Sequence, residues 1–334
     1  MRALVITAFL LAGADAAAPC ASPRAVLVSG ANKGQGYALC ERVLAEQPDA
    51  HVFLGARDAA RGEAAARALG VRAPGRVEFV PLDVTSDASV ASAVEHVASR
   101  LAPGMHLHGI VSNAGILWGH ALAQQLDVNA RGARRFVDAF LPLVRPDGGR
   151  VVVVSSGMGP LILGYADADR RAALLHSARL RWAEIDAMAH ECAAAHERGG
   201  SAELERIGFG GGPFAEAAPD FHHYGLAKMF ADAHMASLAH SHPSVCINSC
   251  DPGLVWTDLA QSVPRYAGKS REEAGAATPE QGVEAAMRLL FGADGAAGSF
   301  AGSGRFYAMS KDRSSLLSSS IDRRPAEPPA PADK

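Results

Sequence analysis

Apolar and polar positions change their period repeatedly between residues 24 and 311, and this predicts alternating strands and helices. Short apolar runs rich in β-branched residues indicate strands buried on both faces. Most of the segments between these runs carry Ala-rich or amphipathic helical patterns. The predicted strands are residues 25–29, 51–55, 77–81, 107–112, 150–155, 245–251 and 305–309.

The alternation predicts one α/β domain over residues 24–311. It is a Rossmann doubly wound parallel sheet of about seven strands in the order 3-2-1-4-5-6-7, whose ligands bind at the carboxyl ends of the strands. An unusually long segment separates the fifth and sixth strands. We interpret residues 159–220 within it as a helical insertion folded over the active site, because the segment is too short for a core of its own. We expect this insertion to build most of the substrate pocket.

The two ends of the chain differ from the domain between them. Residues 1–20 begin with Met1-Arg2, continue with an apolar run and end in small residues, which predicts a signal peptide too short to span a membrane. Such a signal indicates entry into the secretory route, with the ER lumen or an organelle as destination. The alternative is a frayed Ala-rich start on a cytoplasmic enzyme. Residues 312–334 are rich in Ser and Pro and are expected to form a disordered tail.

The composition limits the classes of molecule that the protein is expected to bind. The formal net charge is only −3 and no long basic run occurs, so nothing indicates binding to nucleic acid or to an anionic membrane. The 5 cysteines and 13 histidines show no spacing typical of a metal site, so no metal is expected. A small molecule is the expected partner.

A glycine-rich loop follows the first strand directly. Gly30 permits a tight turn, while Gly34 and Gly36 allow backbone to approach a diphosphate at the start of the next helix. Three glycines alone are weak evidence, and a structural turn is the alternative. Their place between a strand and a helix at the start of a βαβ unit favours a dinucleotide.

The end of the second strand predicts which dinucleotide binds. An enzyme that uses NAD usually carries an acidic residue there for the ribose 2′-hydroxyl, whereas this chain has Arg57 about 20 positions after the glycine loop. A cation suits a 2′-phosphate, and Lys33 adds a second positive charge, so NADP(H) is favoured. The alternative is that Arg57 only faces solvent.

Tyr224 and Lys228 form the candidate catalytic pair. Their spacing of four places both on one face of a helix. A tyrosine with an ordinary pKa near ~10 is a poor proton donor or acceptor at neutral pH, and a neighbouring ammonium is expected to lower that pKa. Ser156, at the carboxyl end of the fifth strand, is placed to hydrogen-bond a substrate carbonyl beside Tyr224.

Taken together, these motifs resemble those of the short-chain dehydrogenase/reductase family. Within that family, the chain is most similar to monomeric NADPH-dependent carbonyl reductases. The matching pieces follow the family's order over nearly all of residues 24–310. They are residues 29–36, 56–58, 82–84, 112–115, Asn129 with Gly132, 154–156, 224–228, and 251–253 with Thr257.

The resemblance implies roles that the spacing alone does not. Asn129 would hold a water in a proton relay behind Lys228, which would also bind the nicotinamide ribose. Asp83 and Val84 would contact the adenine. The other implied cofactor residues are Gly30, Asn32, Lys33, Gly34, Gln35, Gly36, Arg57, Asn113, Ala114, Gly115, Tyr224, Pro252, Gly253, Val255 and Thr257.

The activity that follows is NADPH-dependent interconversion of a carbonyl (aldehyde, ketone or quinone) and an alcohol. Tyr224 is the general acid and base, and Asn129, Ser156 and Lys228 complete the catalytic set. The alternative is a non-catalytic NADP(H)-binding regulatory protein, which would be expected to lack part of that set. The resemblance also implies a monomer, because in carbonyl reductases the insertion covers a helix that other members use to dimerise.

Overall fold

The computed structural model describes residues 20–22, 24–292, 303–309 and 316–320. Residues 1–19 of the predicted signal peptide and residues 321–334 of the predicted tail lie outside this part of the chain. Within it, no helix is both long enough and apolar enough to cross a bilayer.

A single sheet in the order β3-β2-β1-β4-β5-β6-β7-β8 organises the domain. The predicted seven parallel strands and their order are confirmed, with boundaries shifted by no more than two residues. The strands are β1 (Arg24–Ser29), β2 (Ala50–Ala56), β3 (Val77–Pro81), β4 (Gly109–Ser112), β5 (Arg150–Val154), β6 (Cys246–Asp251), β7 (Arg305–Met309) and β8 (Leu316–Ser320).

The eighth strand corrects one prediction. Residues 312–334 were expected to be disordered throughout, yet β8 pairs antiparallel with β7, from Met309 opposite Leu316 to Arg305 opposite Ser320. The physical reason is the open edge of β7, whose unpaired N–H and C=O groups accept a further strand whatever its side chains. The serine-rich composition of this segment gave no strand signal, because β8 is held by backbone hydrogen bonds to β7 and not by its side chains.

The strands are apolar throughout because both faces of the sheet are covered. In β1, Ala25 and Leu27 belong to one buried cluster, whereas Val26 and Val28 belong to the cluster on the opposite face. Side chains of a strand alternate between faces, so two covered faces require an apolar residue at every position.

Helices connect the strands and cover both faces. The helix α10 carries Tyr224 and Lys228, and a π-helical turn at Leu126–Arg131 carries Asn129. The helices are α1 (Gly34–Glu46), α2 (Ala59–Arg72), α3 (Asp87–Arg100), α4 (Leu122–Gln125), α5 (Gly132–Phe140), α6 (Met158–Tyr165), α7 (Ala168–Leu175), α8 (Trp182–Arg206, broken at Gly199–Gly200), α9 (Phe214–Ala217), α10 (Pro219–Ser241), α11 (Asp258–Gln261), α12 (Pro279–Gly282) and α13 (Glu284–Phe291).

The long segment before Tyr224 forms α6 to α9. Of these helices, α6, α8 and α9 contact α10, and α7 joins the same apolar cluster through Leu174. The cluster takes in Leu226 and Phe230 of α10, and both side chains are fully buried. The segment therefore covers the side of α10 that faces away from the sheet.

Gly225 sets how closely α6 approaches α10. A Cβ at this position would lie 2.3 Å from Cγ1 of Ile162 and 2.9 Å from the carbonyl oxygen of Met158. Neither contact is tolerable, because non-bonded heavy atoms do not approach a Cβ closer than 3.0 Å. The absent side chain is what allows the two helices to pack with their backbones in near contact.

Gly225→Ala should therefore lower the free energy of unfolding by about 1–3 kcal/mol through overpacking, as measured by urea denaturation. Gly70→Ala is the matched control, since Gly70 is also helical and a Cβ there meets nothing within 4 Å. That substitution should raise stability by about 0.5–1 kcal/mol through helix propensity. Equal effects of the two substitutions would contradict the packing argument.

Candidate active site

A cleft of about 770 Å³ lies at the carboxyl ends of the parallel strands. Every residue predicted for catalysis or cofactor binding lines it except Gly36 and Asn129, which lie behind its wall. The cleft runs from the glycine loop after β1, past the ends of β4 and β5, to the segment after β6. The sheet thus brings to one place residues that are far apart in sequence.

The glycine loop has the geometry of a phosphate cradle. Gly30 and Gly34 adopt left-handed backbone with φ of 64° and 57°, which favours glycine. Gly36 packs beneath the loop, where a Cβ would lie 2.5 Å from Nδ2 of Asn113 and 2.6 Å from the carbonyl oxygen of Gly30. The loop ends at the N-terminus of α1, whose first N–H groups suit an anion. These features fit the diphosphate of a dinucleotide.

Ser29 and Asn113 hold this loop in place. The Asn113 amide donates to the carbonyl oxygens of Ser29 and Gly30 at 3.0 and 3.1 Å. The buried Ser29 hydroxyl accepts hydrogen bonds from the backbone N–H groups of Asn113 and Ala114. The end of β4 is thereby fastened to the end of β1. Asn113 therefore supports the glycine loop as well as lining the cleft.

Cationic side chains gather where β2 ends. Arg57 is exposed and lines the cleft beside Arg61, the first turn of α2 being capped by Asp58. Lys33 also lines the cleft, but its ammonium pairs with the Asp258 carboxylate at 2.5 Å. The Lys33 charge, which was predicted to add to that of Arg57, is therefore partly neutralised by Asp258, a residue 225 positions away in sequence.

Asp83 lies at the same end of the cleft with a rigid side chain. Its Oδ1 accepts hydrogen bonds from the backbone N–H and the hydroxyl of Thr85. Burial opposes its ionisation, but these hydrogen bonds and the cations of Arg57 and Arg135 prevail, so the pKa of Asp83 is lowered. The side chain is therefore ionised and fixed at neutral pH.

Asn129 lies behind the wall of the cleft on the π-helical turn. Its Oδ1 accepts from the backbone N–H of Ile116 at 3.0 Å, and its Nδ2 donates to the Ile116 carbonyl oxygen at 2.8 Å. Gly115 separates it from Lys228: a Cβ at position 115 would lie 3.0 Å from Asn129 Oδ1 and 3.9 Å from Lys228 Nζ. Asn129 and Lys228 are thus brought to opposite sides of one small gap.

Tyr224, Lys228 and Ser156 converge where α10 passes the end of β5. The Lys228 ammonium donates to the carbonyl oxygen of Val154 at 2.7 Å and lies 5.4 Å from the centre of the Tyr224 ring. Ser156 lies close enough to hydrogen-bond the Tyr224 hydroxyl. Tyr224 and Lys228 are almost fully buried, yet both line the cleft.

The electrostatics of this group differ from the expectation. Lys228 was expected to lower the pKa of Tyr224, but burial and the carboxylates of Asp251 and Asp232 raise it above its ordinary value, and the hydrogen bond with Ser156 only partly opposes them. Burial also lowers the pKa of Lys228 to about 8. The protein's own groups therefore keep Tyr224 protonated at neutral pH.

An apolar chamber adjoins the Tyr224 hydroxyl. Its buried members besides Tyr224 are Leu117, Val263 and Tyr266, and Phe221 and Trp256 pack against them. This corrects the expectation that the insertion builds the pocket, because the cleft lining passes from Met158 directly to Phe221 and includes no residue from 159 to 220. The chamber lining comes instead from residues 254–266 together with Leu117 and Phe221. The insertion lies behind α10, on the far side of the catalytic pair.

Sequence reasoning missed several residues of the site. Tyr266, Phe221 and Arg265 line the chamber, but as single aromatic and basic residues they gave no signal. Asp232 is buried beside Lys228 and lies four positions after it, so continuing the Tyr–Lys spacing by one helical turn would have found it.

Comparison with known proteins agrees with this geometry. Residues 24–202 match the family model described as short chain dehydrogenase. Short-chain dehydrogenase/reductase 1 of Saponaria officinalis is 29% identical over 299 residues, covering 80% of this chain and 91% of that protein. (+)-Neomenthol dehydrogenase of Arabidopsis thaliana is 26% identical over 265 residues, covering 71% of this chain and 85% of that protein.

Solved structures share the fold at lower identity. Salutaridine reductase from Papaver somniferum superposes with a TM-score of 0.68 at 21% identity, covering 85% of this chain and 99% of that one. NADPH-bound carbonyl reductase from chicken fatty liver gives a TM-score of 0.56 at 20% identity, with 85% and 91% covered.

Proposed function

The chain belongs to the short-chain dehydrogenase family, and from that premise we propose that it is an NADPH-dependent reductase that interconverts a carbonyl compound and an alcohol. One observation carries the proposal. A single cleft joins a glycine cradle with a basic side chain at one end to a buried tyrosine and lysine beside a half-buried serine at the other. A dinucleotide and a small substrate would share such a cleft, with the substrate carbonyl beside Tyr224.

The residues divide the chemistry among them. NADPH supplies the hydride, as the cofactor of such a reaction does. The Tyr224 hydroxyl donates a proton to the substrate oxygen while the Ser156 hydroxyl hydrogen-bonds that oxygen and orients it. Lys228 holds positive charge beneath the Tyr224 ring and stabilises the phenolate that forms. Asn129, across the gap at Gly115, links Lys228 towards solvent through water.

The electrostatics favour reduction as the working direction. A proton donor must carry its proton at the start of the step, and burial together with Asp251 and Asp232 raises the pKa of Tyr224. The reverse reaction needs the phenolate, which the same carboxylates disfavour. Oxidation of the alcohol is therefore expected to require a higher pH than reduction of the carbonyl.

The preference for NADPH over NADH is supported by charge at the end of β2. Arg57 occupies the position at which an NAD enzyme carries an acidic residue, which would repel a 2′-phosphate. Arg61 adds a second guanidinium at the mouth of the cleft, paired with Asp58 at 2.8 Å. Lys33 would have to divide its charge between Asp258 and the phosphate. Arg57 is thus the residue on which the preference chiefly rests.

The chamber beside Tyr224 supports an apolar substrate. Its walls are aliphatic and aromatic side chains, and the Arg265 guanidinium is stacked over the rings of Phe221 and Tyr266 at its rim. Aldehydes, quinones and cyclic ketones present such apolar surfaces around one polar carbonyl. A panel of these compounds, followed by the loss of NADPH absorbance, is the assay for the tests below.

Tyr224→Phe should lower kcat by at least about 100-fold, because the proton donor is removed while the ring is kept. NADPH binding, measured by the fluorescence of the reduced cofactor, should change little. Tyr37→Phe is the matched control, since Tyr37 lies on α1 outside the cleft, and it should leave turnover unchanged. Undiminished turnover in the Tyr224 variant would refute the mechanism. NADPH binding with no turnover of any carbonyl by the wild-type protein would favour the regulatory alternative.

Arg57→Ala should reduce the ratio of kcat/KM with NADPH to kcat/KM with NADH by about 10- to 100-fold, because a charge-assisted hydrogen bond to the 2′-phosphate is lost. Arg72→Ala serves as control, since Arg72 is the last residue of α2, the helix that begins just after Arg57, and it pairs with Glu41 away from the cleft. An unchanged ratio in the Arg57 variant would assign the cofactor preference elsewhere.

We also propose that the protein is a monomer, because α6, α8 and α9 occupy the outer side of α10. Sedimentation velocity at micromolar concentration should give one species near the chain mass of 34.6 kDa, or slightly below it if the N-terminal segment is removed. A species of twice that mass would show that another surface mediates dimerisation.

A further inference from the structure

Asp232 extends the catalytic face of α10 by one helical turn. Tyr224, Lys228 and Asp232 follow one another at intervals of four residues, which aligns them along one side of the helix. Their side chains are 8%, 4% and 4% exposed. A carboxylate is therefore enclosed in the protein directly behind the proposed proton donor and its lysine.

The three side chains meet three consecutive residues at the end of β5. Tyr224 lies against the Ser156 hydroxyl, and Lys228 donates to the carbonyl oxygen of Val154. Asp232 accepts through its Oδ2 a hydrogen bond from the Ser155 hydroxyl at 2.8 Å. Ser155 is itself buried, and its backbone N–H donates to the carbonyl oxygen of Cys250 in β6. Asp232 is thus part of the contact between α10 and the end of β5 that positions Ser156.

The Ser249 hydroxyl of β6 lies beside the Asp232 carboxylate and stabilises its ionised form. Asp232 Oδ1 and the Ser249 hydroxyl are both buried, and among the described residues neither has a hydrogen bond of ordinary geometry. The Gly159 backbone closes the remaining side, where a Cβ would lie 3.0 Å from Asp232 Oδ2. Burying a carboxylate this incompletely paired is costly, so its retention calls for a compensating charge.

Lys228 provides that charge. Burial raises the pKa of Asp232 to about 7, and the Ser249 and Ser155 hydroxyls together with the Lys228 ammonium oppose this rise. The ionisable and polar groups around Asp232 are Lys228 and Tyr224 on its own helix, Ser155 after β5, and Ser249, Cys250 and Asp251 on β6, while α6 presents only glycine there. Lys228 is the only cation of this set. Burial lowers its pKa, and the Asp232 carboxylate is the foremost group that opposes the fall.

We propose that Asp232 is the buried counter-charge of Lys228, a positioning residue that keeps the active-site lysine protonated and, through Ser155, holds the strand end that carries Ser156. The charge relation is a property of the protein itself. Its consequence for catalysis rests on the proposed function, because only a reaction that uses Tyr224 and Lys228 would respond to it. Asp232 need not touch substrate or cofactor for this role.

The chain offers a direct measurement, because it contains only 5 lysines. Full-length protein labelled with [13Cε]-lysine should give five resolved lysine signals, and the Lys228 signal is assigned by its absence from Lys228→Arg. Its chemical shift is followed against pH in the wild-type protein and in Asp232→Asn. The titration midpoint of Lys228 should fall by about one pH unit or more in the variant, which is a tenfold rise in the ratio of neutral to protonated amine.

Three further variants sharpen the result. Asp232→Glu keeps the charge and should restore most of the wild-type midpoint. Ser155→Ala keeps the carboxylate but removes its donor, so it should lower the midpoint in the same direction by a smaller amount, and it serves if Asp232→Asn does not fold. Asp258→Asn removes the carboxylate beside Lys33 and should leave the Lys228 signal unchanged. A Lys228 midpoint that does not move in folded Asp232→Asn, or in Ser155→Ala where Asp232→Asn is unfolded, would overturn the proposal.

The pH dependence of turnover then distinguishes the charge relation between Asp232 and Lys228 from its effect on catalysis. In an active enzyme, the alkaline limb of kcat/KM for carbonyl reduction should move to lower pH in Asp232→Asn, following the lysine midpoint. A uniform loss of kcat with an unmoved limb would reduce Asp232 to a structural role. If the wild-type protein reduces no carbonyl, the proposed function fails, while the lysine titration still decides whether Asp232 is the counter-charge.

Discussion

The packing of α10 against the carboxyl end of β5 is the contact on which the rest of the site depends. It lets one helix face present Tyr224 and Lys228 to a strand end that carries Ser156. Gly159 on α6 and Gly225 on α10 lack side chains where the two helices meet, so α6 packs closely against the helix that makes this contact. A helix further from the sheet would retain the same sequence and spacing, yet its lysine would no longer reach the Val154 carbonyl oxygen.

Close packing also sets the electrostatics. Excluding water from the end of β5 makes each charge there costly, which lowers the pKa of Lys228 and raises that of Asp232 to about 7. The same burial keeps Tyr224 protonated. A site that must deliver a proton thus obtains a protonated donor from desolvation and nearby carboxylates, whereas the lysine has its main effect on the phenolate that remains.

The site has two parts. The glycine loop, the Asn113 side chain that holds it and the π-helical turn form a frame along the cleft. The chamber beside Tyr224 is formed by Leu117, Phe221 and residues 254–266, a segment that follows β6 and ends in a 3-10 turn at Pro264–Tyr266. Substrate choice is therefore expected to depend on this segment. The helices α6 to α9 stabilise the back of α10.

The sequence by itself determined the sheet, its strand order and the two halves of the site, because strand periodicity, glycine spacing and the Tyr–Lys interval are local patterns. Sequence-based prediction failed where contacts between residues distant in sequence determine the structure. Hydrogen bonding to β7 converts a serine-rich tail into β8, and Lys33 meets an aspartate far along the chain. The sequence also did not predict that the pKa of Tyr224 is raised, because burial and the carboxylates of Asp251 and Asp232 outweigh the neighbouring lysine. Desolvation and through-space charge belong to the packed molecule, and only the tertiary structure fixes them.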